Sequence, residues 1–408
     1  MWFSRIARAR RWTRNCDVRI GVDATCWANN RGYGRFAREL VRALVEIAPD
    51  DEFVCIGDRK AFEAFSLTAP NVEHVEVRQS ASPTDAAAAD GHRSLRDMWS
   101  MTRAVHAARS RVFFSPSVYT YFPLPPGQRA VVTIHDTIAE RFPEMTLPSR
   151  RARLFWNLKV GLAIRQARLV LTVSDYSASE IERVLGVPRR RLRVAVEAPA
   201  SVYEPGDPAD VAVASSELGV PQGAQYFVYV GGFNPHKRLD AVIKAHASLT
   251  SRNGEPPPHL LLVGRTSGDV FHDEVGRLRA MIQDAGTTDR VHWTGFVADE
   301  QLRLLHTGAT AVVLASESEG FGLPAIEGAA CGAPVIATRE SPLPALLARG
   351  GIFIPPGDSA ELARAMRTLL ESPTLRRQMG AVAFTQARLL SWEASAASTL
   401  AALREAAA

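Results

Sequence analysis

Residues 316–338 read SESEGFGLPAIEGAACGAPVIAT, and this stretch decides the fold together with the apolar run TAVVLAS at 310–316. The run TAVVLAS predicts a buried strand, residues 325–331 predict a helix, and PVIAT at 334–338 predicts the next strand. Gly320 and Gly322 lie in the turn between the first strand and the helix. A strand, a glycine-containing turn, a helix and a second apolar strand form one unit of a parallel sheet.

The same alternation of apolar runs and amphipathic helices extends through both halves of the chain. The predicted strands are 18–23, 52–58, 72–77, 111–116, 130–136 and 169–175 in the first half, and 225–231, 259–264, 291–295, 310–316, 334–338 and 351–356 in the second. Repeated strand–helix–strand units predict an α/β fold with two Rossmann-like, doubly wound domains. Because such domains bind ligands at the carboxyl ends of their strands, we expect the two domains to face a central cleft.

The length of 408 residues suits two domains, and changes in composition suggest where they divide. We predict a basic N-terminal extension at 1–17, a first domain at 18–198, a linker at 199–216, a second domain at 217–388 and a C-terminal helix at 389–408. The linker is predicted because 199–216 is rich in Pro, Ala, Ser and acidic residues. The last helix follows a completed second sheet, so we expect it to cross back to the first domain.

The net charge of +5 is concentrated at the N-terminus, where five arginines lie within the first 14 residues without any acid. The rest of the chain is balanced in charge, which argues against a nucleic-acid partner. The segment MWFSRIARARRWTRN is predicted to be a disordered extension, with a short helix on an anionic membrane surface as the alternative.

The four cysteines have no metal-ligand spacing, and no apolar run is long enough to cross a membrane. The basic start is not followed by the long apolar segment of a secretory signal. We therefore expect a cytoplasmic protein without structural zinc, with the inner face of the cell membrane as an alternative location.

Glu319 and Glu327 stand eight positions apart in the deciding stretch, one in the turn and one on the helix. Carboxylates at the two ends of such an element can hold two hydroxyl-bearing parts of one ligand. The glycines let the backbone approach that ligand, and the amides that open the helix near Leu323 form an anion-binding end. The alternative is an ordinary strand–turn–helix connection with surface glutamates.

The pattern E-x7-E in EGFGLPAIE, followed by ACGAPV, resembles the signature of family 4 retaining glycosyltransferases of GT-B architecture. This resemblance extends from about residue 18 to residue 403, and several motifs occur in the expected order. It implies that Glu319 hydrogen-bonds hydroxyls of the donor sugar and that Glu327 holds the nucleotide ribose. It also implies that the amides of Phe321 and Gly322 cradle the sugar and the diphosphate.

The segment YVGGFNPHKRLD at 229–240 carries Gly232 and Lys237 between a predicted strand and a predicted helix. A lysine beside a helix N-terminus can neutralise a diphosphate, and the family resemblance gives Lys237 this role. The family often has an arginine near this lysine, whereas His236 stands beside it here. His236 and Arg238 are both candidates for a second cation at the donor. The third possibility is that neither residue has this role.

In the first half, GVDATCWANNRGYGRFAREL at 21–40 carries Gly32, Tyr33 and Gly34 at the start of a predicted helix. Similar loops in the family lie against the donor diphosphate and the acceptor, so Gly32 and Gly34 are donor-side candidates and Tyr33 is an acceptor-side candidate. A plain helix-entry turn is the alternative. Asp23 ends the first strand and is predicted to contact the acceptor or this loop.

His135, in TIHDTIAERFPE at 133–144, closes an apolar strand and should point toward the cleft. The resemblance suggests that it contacts the donor sugar near the transferring carbon, while a structural histidine is the alternative. Ser174 is similar in position to a family serine at a strand end and is an acceptor-side candidate, while a helix cap is equally compatible with its position.

The segment HWTGFVADEQL at 292–302 resembles the family segment whose backbone contacts the nucleotide base. Thr294, Gly295 and Phe296 are the candidates for that contact.

The resemblance implies transfer with retention, in which the leaving phosphate accepts the acceptor's proton with help from Lys237. No DxD motif is present, so we expect no metal and no cofactor besides the nucleotide-sugar substrate. The expected donor is GDP-mannose, with a UDP-hexose next, and the expected acceptor is a surface polysaccharide or a lipid-linked glycan.

Two other classes of protein compete with this interpretation. The first is a nicotinamide-dependent or nucleotide-sugar-modifying enzyme, which also uses Rossmann folds, but GGFNPH and GYGRFA lack its G-x-G-x-x-G spacing. A non-catalytic sugar-nucleotide-binding protein is the second.

Overall fold

The computed structural model describes residues 17–29, 32–81, 94–147, 149–250, 256–266 and 274–408. The predicted N-terminal extension lies outside these residues except for Asp17. Within the described part of the chain, no helix is both long and apolar enough to cross a membrane.

The first sheet has seven parallel strands in the described residues, in the order β3-β2-β1-β4-β5-β6-β7. They are β1 (Arg19–Asp23), β2 (Glu52–Gly57), β3 (Val72–Glu76), β4 (Val112–Ser115), β5 (Ala130–Thr133), β6 (Leu169–Thr172) and β7 (Leu192–Val194). Ile20 of β1 is in register with Phe53 on one side and Val112 on the other. The strand order reverses between β1 and β4, and such a reversal opens a crevice at the carboxyl ends of the strands.

Helices cover both faces of this sheet. The described helices are α1 (Gly32–Ile47), α2 (Arg59–Ala64), α3 (Leu95–Ala108), α4 (Ile138–Arg141), α5 (Pro143–Thr146), α6 (Arg150–Gln166) and α7 (Asp175–Leu185), with short 3-10 turns at Val118–Thr120 and Arg189–Arg191. Helix α1 follows the predicted period and buries Phe36, Leu40 and Leu44 against the sheet. The short strand β7 has too few residues to show a pattern in the sequence.

The second sheet has six parallel strands among the described residues, in the order β10-β9-β8-β11-β12-β13. They are β8 (Tyr226–Val230), β9 (His259–Val263), β10 (Val291–Gly295), β11 (Ala311–Leu314), β12 (Val335–Thr338) and β13 (Gly351–Ile354). Its described helices are α8 (Pro208–Glu217), α9 (Leu239–Ala247), α10 (Val275–Asp284), α11 (Asp299–Gly308), α12 (Leu323–Ala330), α13 (Leu343–Leu347), α14 (Ser359–Glu371) and α15 (Pro373–Ala387), with 3-10 turns at Pro235–Lys237 and Ala348–Gly350. The predicted pair of doubly wound domains is confirmed.

The segment predicted as a linker, 199–216, differs from the expectation because helix α8 fills its second half. The Asp207 side chain accepts a hydrogen bond from the Ala209 amide at 2.8 Å, and Pro208 occupies the first helical turn. An N-cap aspartate followed by proline starts a helix even where the composition looks flexible. The connection between the two sheets therefore contains a helix, and its non-helical first part ends at Asp207.

The C-terminal helix α16 (Trp392–Ala407) crosses back to the first domain, as expected. It packs against α1, where the Trp392 ring lies 6.1 Å from the Phe36 ring. Its apolar face, which includes Leu403, is buried, and Arg404 bonds Asp51 of the first domain at 3.0 Å. The last helix therefore belongs to the core of the first domain.

We predict that Leu403→Ala destabilises the first domain by about 2–5 kcal/mol, because it leaves a cavity between α16 and α1. Urea-induced unfolding followed by tryptophan fluorescence measures the change. Leu389→Ala is the matched control, since the Leu389 side chain is 73% exposed just before α16. An equal, small effect of both substitutions would show that α16 contributes little to the domain.

Candidate active site

The carboxyl ends of the two sheets enclose a cleft cavity of about 740 Å³. Residues from both domains line it, which agrees with the expected location of a ligand site. Predicted site residues in its wall are Gly32, Tyr33, His135, Gly232, His236, Lys237, Phe296, Glu319, Phe321, Gly322, Leu323 and Glu327. The cleft therefore brings together residues from five of the sequence motifs.

Lys237 and Glu319 form an ion pair in the wall of the cavity. The Lys237 Nζ atom lies 2.8 Å from Glu319 Oε1. Ser316, at the end of β11, donates a second hydrogen bond to the same oxygen. Lys237 lies in the 3-10 turn before α9 rather than in the helix itself. This ion pair fixes a cation and a carboxylate side by side, where a ligand with phosphate and hydroxyl groups can engage both.

The beginning of α12 points its amide groups into the same cavity. Gly322 has φ of +88° at the N-cap, a conformation that favours glycine, and Leu323 is the first helical residue. A side chain at position 322 would also come within 2.9 Å of Leu343. The helix start supplies partial positive charge in the wall of the cavity that Lys237 also lines, which favours an anion there.

The two domains touch at Gly320. The hydroxyl groups of Ser174 and Ser177 donate hydrogen bonds to the Gly320 carbonyl oxygen at 2.7 and 3.0 Å. A Cβ atom at position 320 would lie 2.6 Å from the His135 carbonyl oxygen, so only glycine fits here. Ser174 also caps α7 by accepting from the Ser177 amide at 3.0 Å. The helix-cap alternative for Ser174 is therefore confirmed, and its acceptor-side role stays a prediction.

His135 is a buried, neutral histidine in the wall of the cleft. Its ring packs edge-on against Phe36 at 4.8 Å, and neither ring nitrogen has a hydrogen-bond partner among the described residues. Burial lowers the pKa of His135 to about 3. The imidazole is therefore uncharged at neutral pH, and both of its nitrogens are buried.

Glu327 meets a residue that the sequence analysis missed. Arg35 of α1 places its Nη1 atom 2.6 Å from Glu327 Oε1 and its Nη2 atom 2.6 Å from Asp299 Oδ1. Burial raises the pKa of Glu327 to about 7, although Arg35 acts in the opposite direction. In the sequence, the feature that could have indicated Arg35 is its position directly after the glycine-rich turn, in GYGR. Nothing local in the sequence connected it to a glutamate 292 positions away.

Two further carboxyl groups line the cavity without having been predicted. Burial, together with the nearby Glu327 and Asp136, raises the pKa of Glu197 to about 8. Burial also raises the pKa of Asp136, which follows His135 and accepts a hydrogen bond from the Ile138 amide at 2.9 Å. The wall of the cleft thus concentrates acidic groups around a few cations, as a site for polyhydroxyl ligands does.

Aromatic side chains form the outer parts of the cavity wall. Tyr33 stacks on Tyr119 with ring centroids 4.9 Å apart, on the side of the first domain. On the side of the second domain, Phe296 is 63% exposed and Arg265 lies 5.9 Å from its ring. An exposed aromatic face beside an arginine is suited to stacking against a flat ring.

Several predicted residues lie outside the cavity wall. Arg238 pairs with Glu317 and Asp240, so it is not directed at the cavity as a second cation. The Asp23 carboxylate is bonded by Thr25 and Thr120 and holds the first loop rather than the cavity. Gly34 packs against the Asn29 carbonyl. The Thr294 hydroxyl donates hydrogen bonds to the carbonyls of Leu262 and Gly295. Ser174 reaches the site only through its hydrogen bond to Gly320.

Fold and site together define a glycosyltransferase of GT-B architecture. Residues 30–195 match the family described as "Glycosyltransferase Family 4", and residues 211–386 match "Glycosyl transferases group 1". The chain belongs to this family of enzymes, as the sequence analysis predicted. One match covers the first domain and the other covers the second.

Individual relatives agree with this assignment. The chain is 27% identical to O-antigen chain mannosyltransferase B of Escherichia coli over 89% of this chain and 93% of that protein. It is 32% identical to a D-inositol 3-phosphate glycosyltransferase of Streptomyces avermitilis over 62% of this chain, and spans about half (54%) of that relative's length. The solved structure of Anabaena HepE in complex with UDP and glucose has the same fold, with a TM-score of 0.71 at 19% identity, covering 95% of this chain and 100% of that one.

We predict that the His135 imidazole does not take up a proton between about pH 8 and about pH 5, because its pKa is far below its ordinary value. The histidine Cε1 proton resonances measure this in an NMR titration, and His135→Asn identifies the signal. A midpoint near about pH 6.5 would contradict the burial described here.

Proposed function

We propose that the protein is a retaining hexosyltransferase, which moves a hexose from a nucleotide diphosphate sugar to a hydroxyl group of a glycan or lipid-linked acceptor. The observation that carries the proposal is the Lys237–Glu319 ion pair beside the N-terminus of α12, with the 2.8 Å contact in the wall of the cleft. This arrangement offers a carboxylate for sugar hydroxyls and two sources of positive charge for a diphosphate.

In this proposal each part of the donor has its own group in the cleft. Glu319 accepts hydrogen bonds from the sugar hydroxyls, and Glu327 accepts them from the ribose. The diphosphate lies between Lys237 and the amides of Phe321 and Gly322. Gly232 and His236 line the same part of the cavity, and the exposed ring of Phe296 is the candidate wall for the base.

The chemistry that these groups support is departure of the diphosphate with stabilisation of its growing charge. As the glycosidic bond breaks, Lys237 and the α12 dipole stabilise the phosphate oxygen that leaves. The acceptor hydroxyl attacks the same face of the sugar, and the departing phosphate takes its proton, so the configuration is retained. We propose that no metal ion takes part, since the lysine and the helix dipole supply positive charge at the diphosphate.

We propose GDP-mannose as the donor and surface polysaccharide synthesis as the setting. Similarity to an O-antigen chain mannosyltransferase over most of both chains supports mannose and a polysaccharide. A UDP-hexose is the second donor, supported by the shared fold with HepE, whose structure contains UDP and glucose. Thermal shift across a panel of nucleotide sugars tests the choice, because a ligand that binds only the native state raises its melting temperature.

A non-catalytic sugar-nucleotide-binding protein would use the same cleft, and the assay below separates it from an enzyme. It would bind a donor that thermal shift detects and would neither transfer nor hydrolyse the sugar. The nicotinamide-dependent alternative is disfavoured by the family match of both domains.

We also propose contact with an anionic membrane, which suits a lipid-linked acceptor. The basic N-terminal segment lies outside the described residues. Within the described part, helix α6 supports the proposal, since its sequence RRARLFWNLKVGLAIRQ has five cations and no acid. The Leu154, Phe155 and Leu158 side chains are 58%, 54% and 60% exposed on this helix. Exposed apolar groups among arginines are typical of an interfacial helix.

Helix α6 also lies next to the cleft. Lys159 of α6 donates a hydrogen bond to the Tyr119 carbonyl at 3.0 Å, and the Trp156 and Tyr119 rings are 5.2 Å apart. Tyr119 itself lines the cavity. A lipid-linked acceptor whose lipid stays in the membrane would therefore enter the cleft from a nearby surface.

We predict that Lys237→Met and Glu319→Gln each lower kcat by at least about 100-fold, because each removes a charge that the departing diphosphate or the sugar needs. Transfer of radiolabelled mannose from GDP-mannose, and of glucose from UDP-glucose, measures the loss in the presence of EDTA. Lys244→Met and Glu317→Gln are matched controls outside the cavity wall. Near-normal transfer by the Lys237 and Glu319 variants would remove this pair from the mechanism.

We predict that the wild-type protein sediments with vesicles of phosphatidylglycerol and phosphatidylcholine, and not with phosphatidylcholine alone. Replacing Leu154, Phe155 and Leu158 together with serine should weaken this binding by at least about tenfold, because less apolar surface enters the interface. Val213→Ser is the control, since Val213 is 59% exposed on α8 in the other domain. Unchanged sedimentation of the triple variant would exclude α6 as the contact.

A further inference from the structure

The carboxylate proposed to hold the ribose is bonded by a cation from the opposite domain. Arg35 belongs to α1 of the first domain, whereas Glu327 belongs to α12 and Asp299 to α11 of the second. The guanidinium donates to Glu327 Oε1 and to Asp299 Oδ1, each at 2.6 Å. Both bonds are short and charge-assisted, a geometry that fixes orientation as well as contributing energy.

A third segment of the chain completes the arrangement. Tyr203, in the connection between the two sheets, donates its hydroxyl to Asp299 Oδ1 at 2.8 Å. Its ring lies 5.4 Å from the Arg35 Cζ atom. We call Arg35, Tyr203, Asp299 and Glu327 the Arg35 cluster. The cluster joins the first domain, the connection and the second domain at the wall of the cavity.

We propose that Arg35 is a positioning residue for the donor nucleotide: it holds Glu327 ionised and in a fixed rotamer, so that the ribose site is complete only when both domains meet. This inference rests on the proposed ribose role of Glu327. The ion pair uses Oε1, which leaves Oε2 to accept a hydrogen bond from a ribose hydroxyl. Arg35 can therefore keep its ion pair with Glu327 while the nucleotide is bound.

The charges around Glu327 explain why it needs a cation. Glu197 and Asp299 are acids that face it from the connection and from α11, and Cys331 and Tyr203 are further titratable neighbours. Arg35 is the cation that acts on it. Burial already raises the pKa of Glu327 to about 7 with Arg35 in contact. Without Arg35, the carboxyl would be protonated at neutral pH and would accept hydrogen bonds poorly.

The guanidinium remains charged throughout this range. Burial acts to lower the pKa of Arg35, but Glu327, Tyr203 and Asp299 raise it above its ordinary value. The pH dependence of nucleotide binding in this part of the site should therefore come from carboxyl groups: Glu327, and its neighbour Glu197 with a pKa of about 8. In the wild-type protein, affinity falls as the pH is lowered through about 7, because Glu327 takes up a proton.

The test is the affinity of GDP and UDP, measured by calorimetry from about pH 6 to about pH 9 on the full-length protein. Arg35→Met should weaken binding by about 5- to 50-fold at pH 7, because loss of the opposite charge raises the pKa of Glu327 by about one to two units. The loss should shrink at about pH 9, where the carboxyl ionises again. Arg35→Lys should retain part of the affinity because it keeps the charge.

Two comparisons separate positioning from a direct or structural role. Arg42→Met, on the same helix and ion-paired with Glu39 outside the cavity wall, should bind nucleotide like the wild type. In the Glu327→Gln background, Arg35→Met should have little further effect, because the group on which it acts can no longer ionise. A loss that is independent of pH and persists in that background would overturn the proposal.

The outcomes also distinguish this inference from the proposed function. If the wild-type protein binds neither nucleotide, the proposed donor site is wrong. If Glu327→Gln binds as well as the wild type, the ribose role is wrong. If Glu327→Gln weakens binding while Arg35→Met has the wild-type pH profile, only the role of Arg35 is overturned. Circular dichroism of each variant confirms that it is folded before its affinity is compared.

Discussion

The close approach of two backbones at Gly320 is the constraint on which the site depends. The Gly320 carbonyl accepts hydrogen bonds from Ser174 and Ser177 of the first domain, and its α-carbon leaves no space for a side chain against the His135 carbonyl. This contact brings the carboxyl ends of two parallel sheets face to face. Glu319 precedes this residue directly, so the contact also fixes the carboxylate that pairs with Lys237.

Around this contact the cleft combines strong charges with very little exposure to solvent. Two of its cations have an acidic partner across a short distance: Lys237 with Glu319, and Arg35 with Glu327. Burying a charged group costs free energy unless the group is paired with an opposite charge. Paired charges that line a cavity can also form hydrogen bonds or ion pairs with a ligand. The arrangement therefore suits a substrate with both phosphate and hydroxyl groups, whereas a hydrophobic cleft would exclude it.

Patterns within single elements allowed much of the fold and part of the site to be predicted. The strands and the helix α1 follow their hydrophobic periods, and the spacing of Glu319 and Glu327 with the glycines between them indicated residues that line the cleft. The composition of 199–216 was misleading, because helix α8 depends on a local cap at Asp207 that an average over many residues conceals. Arg238 was a reasonable candidate by position, yet Glu317 and Asp240 bind it.

The sequence by itself determined the alternation of strands and helices, the glycine turn before α12 and the residues that carry the family resemblance. These features depend on residues a few positions apart, so the hydrophobic periods and the turn residues can be recognised in the sequence. Only the tertiary structure decided that Arg35 bonds Glu327, that Tyr203 joins them, and that Ser174 meets Gly320. These partners are separated by more than a hundred residues along the chain and come from different parts of the structure. No local period or spacing in the sequence therefore connects them. They meet because the two sheets pack across one cleft.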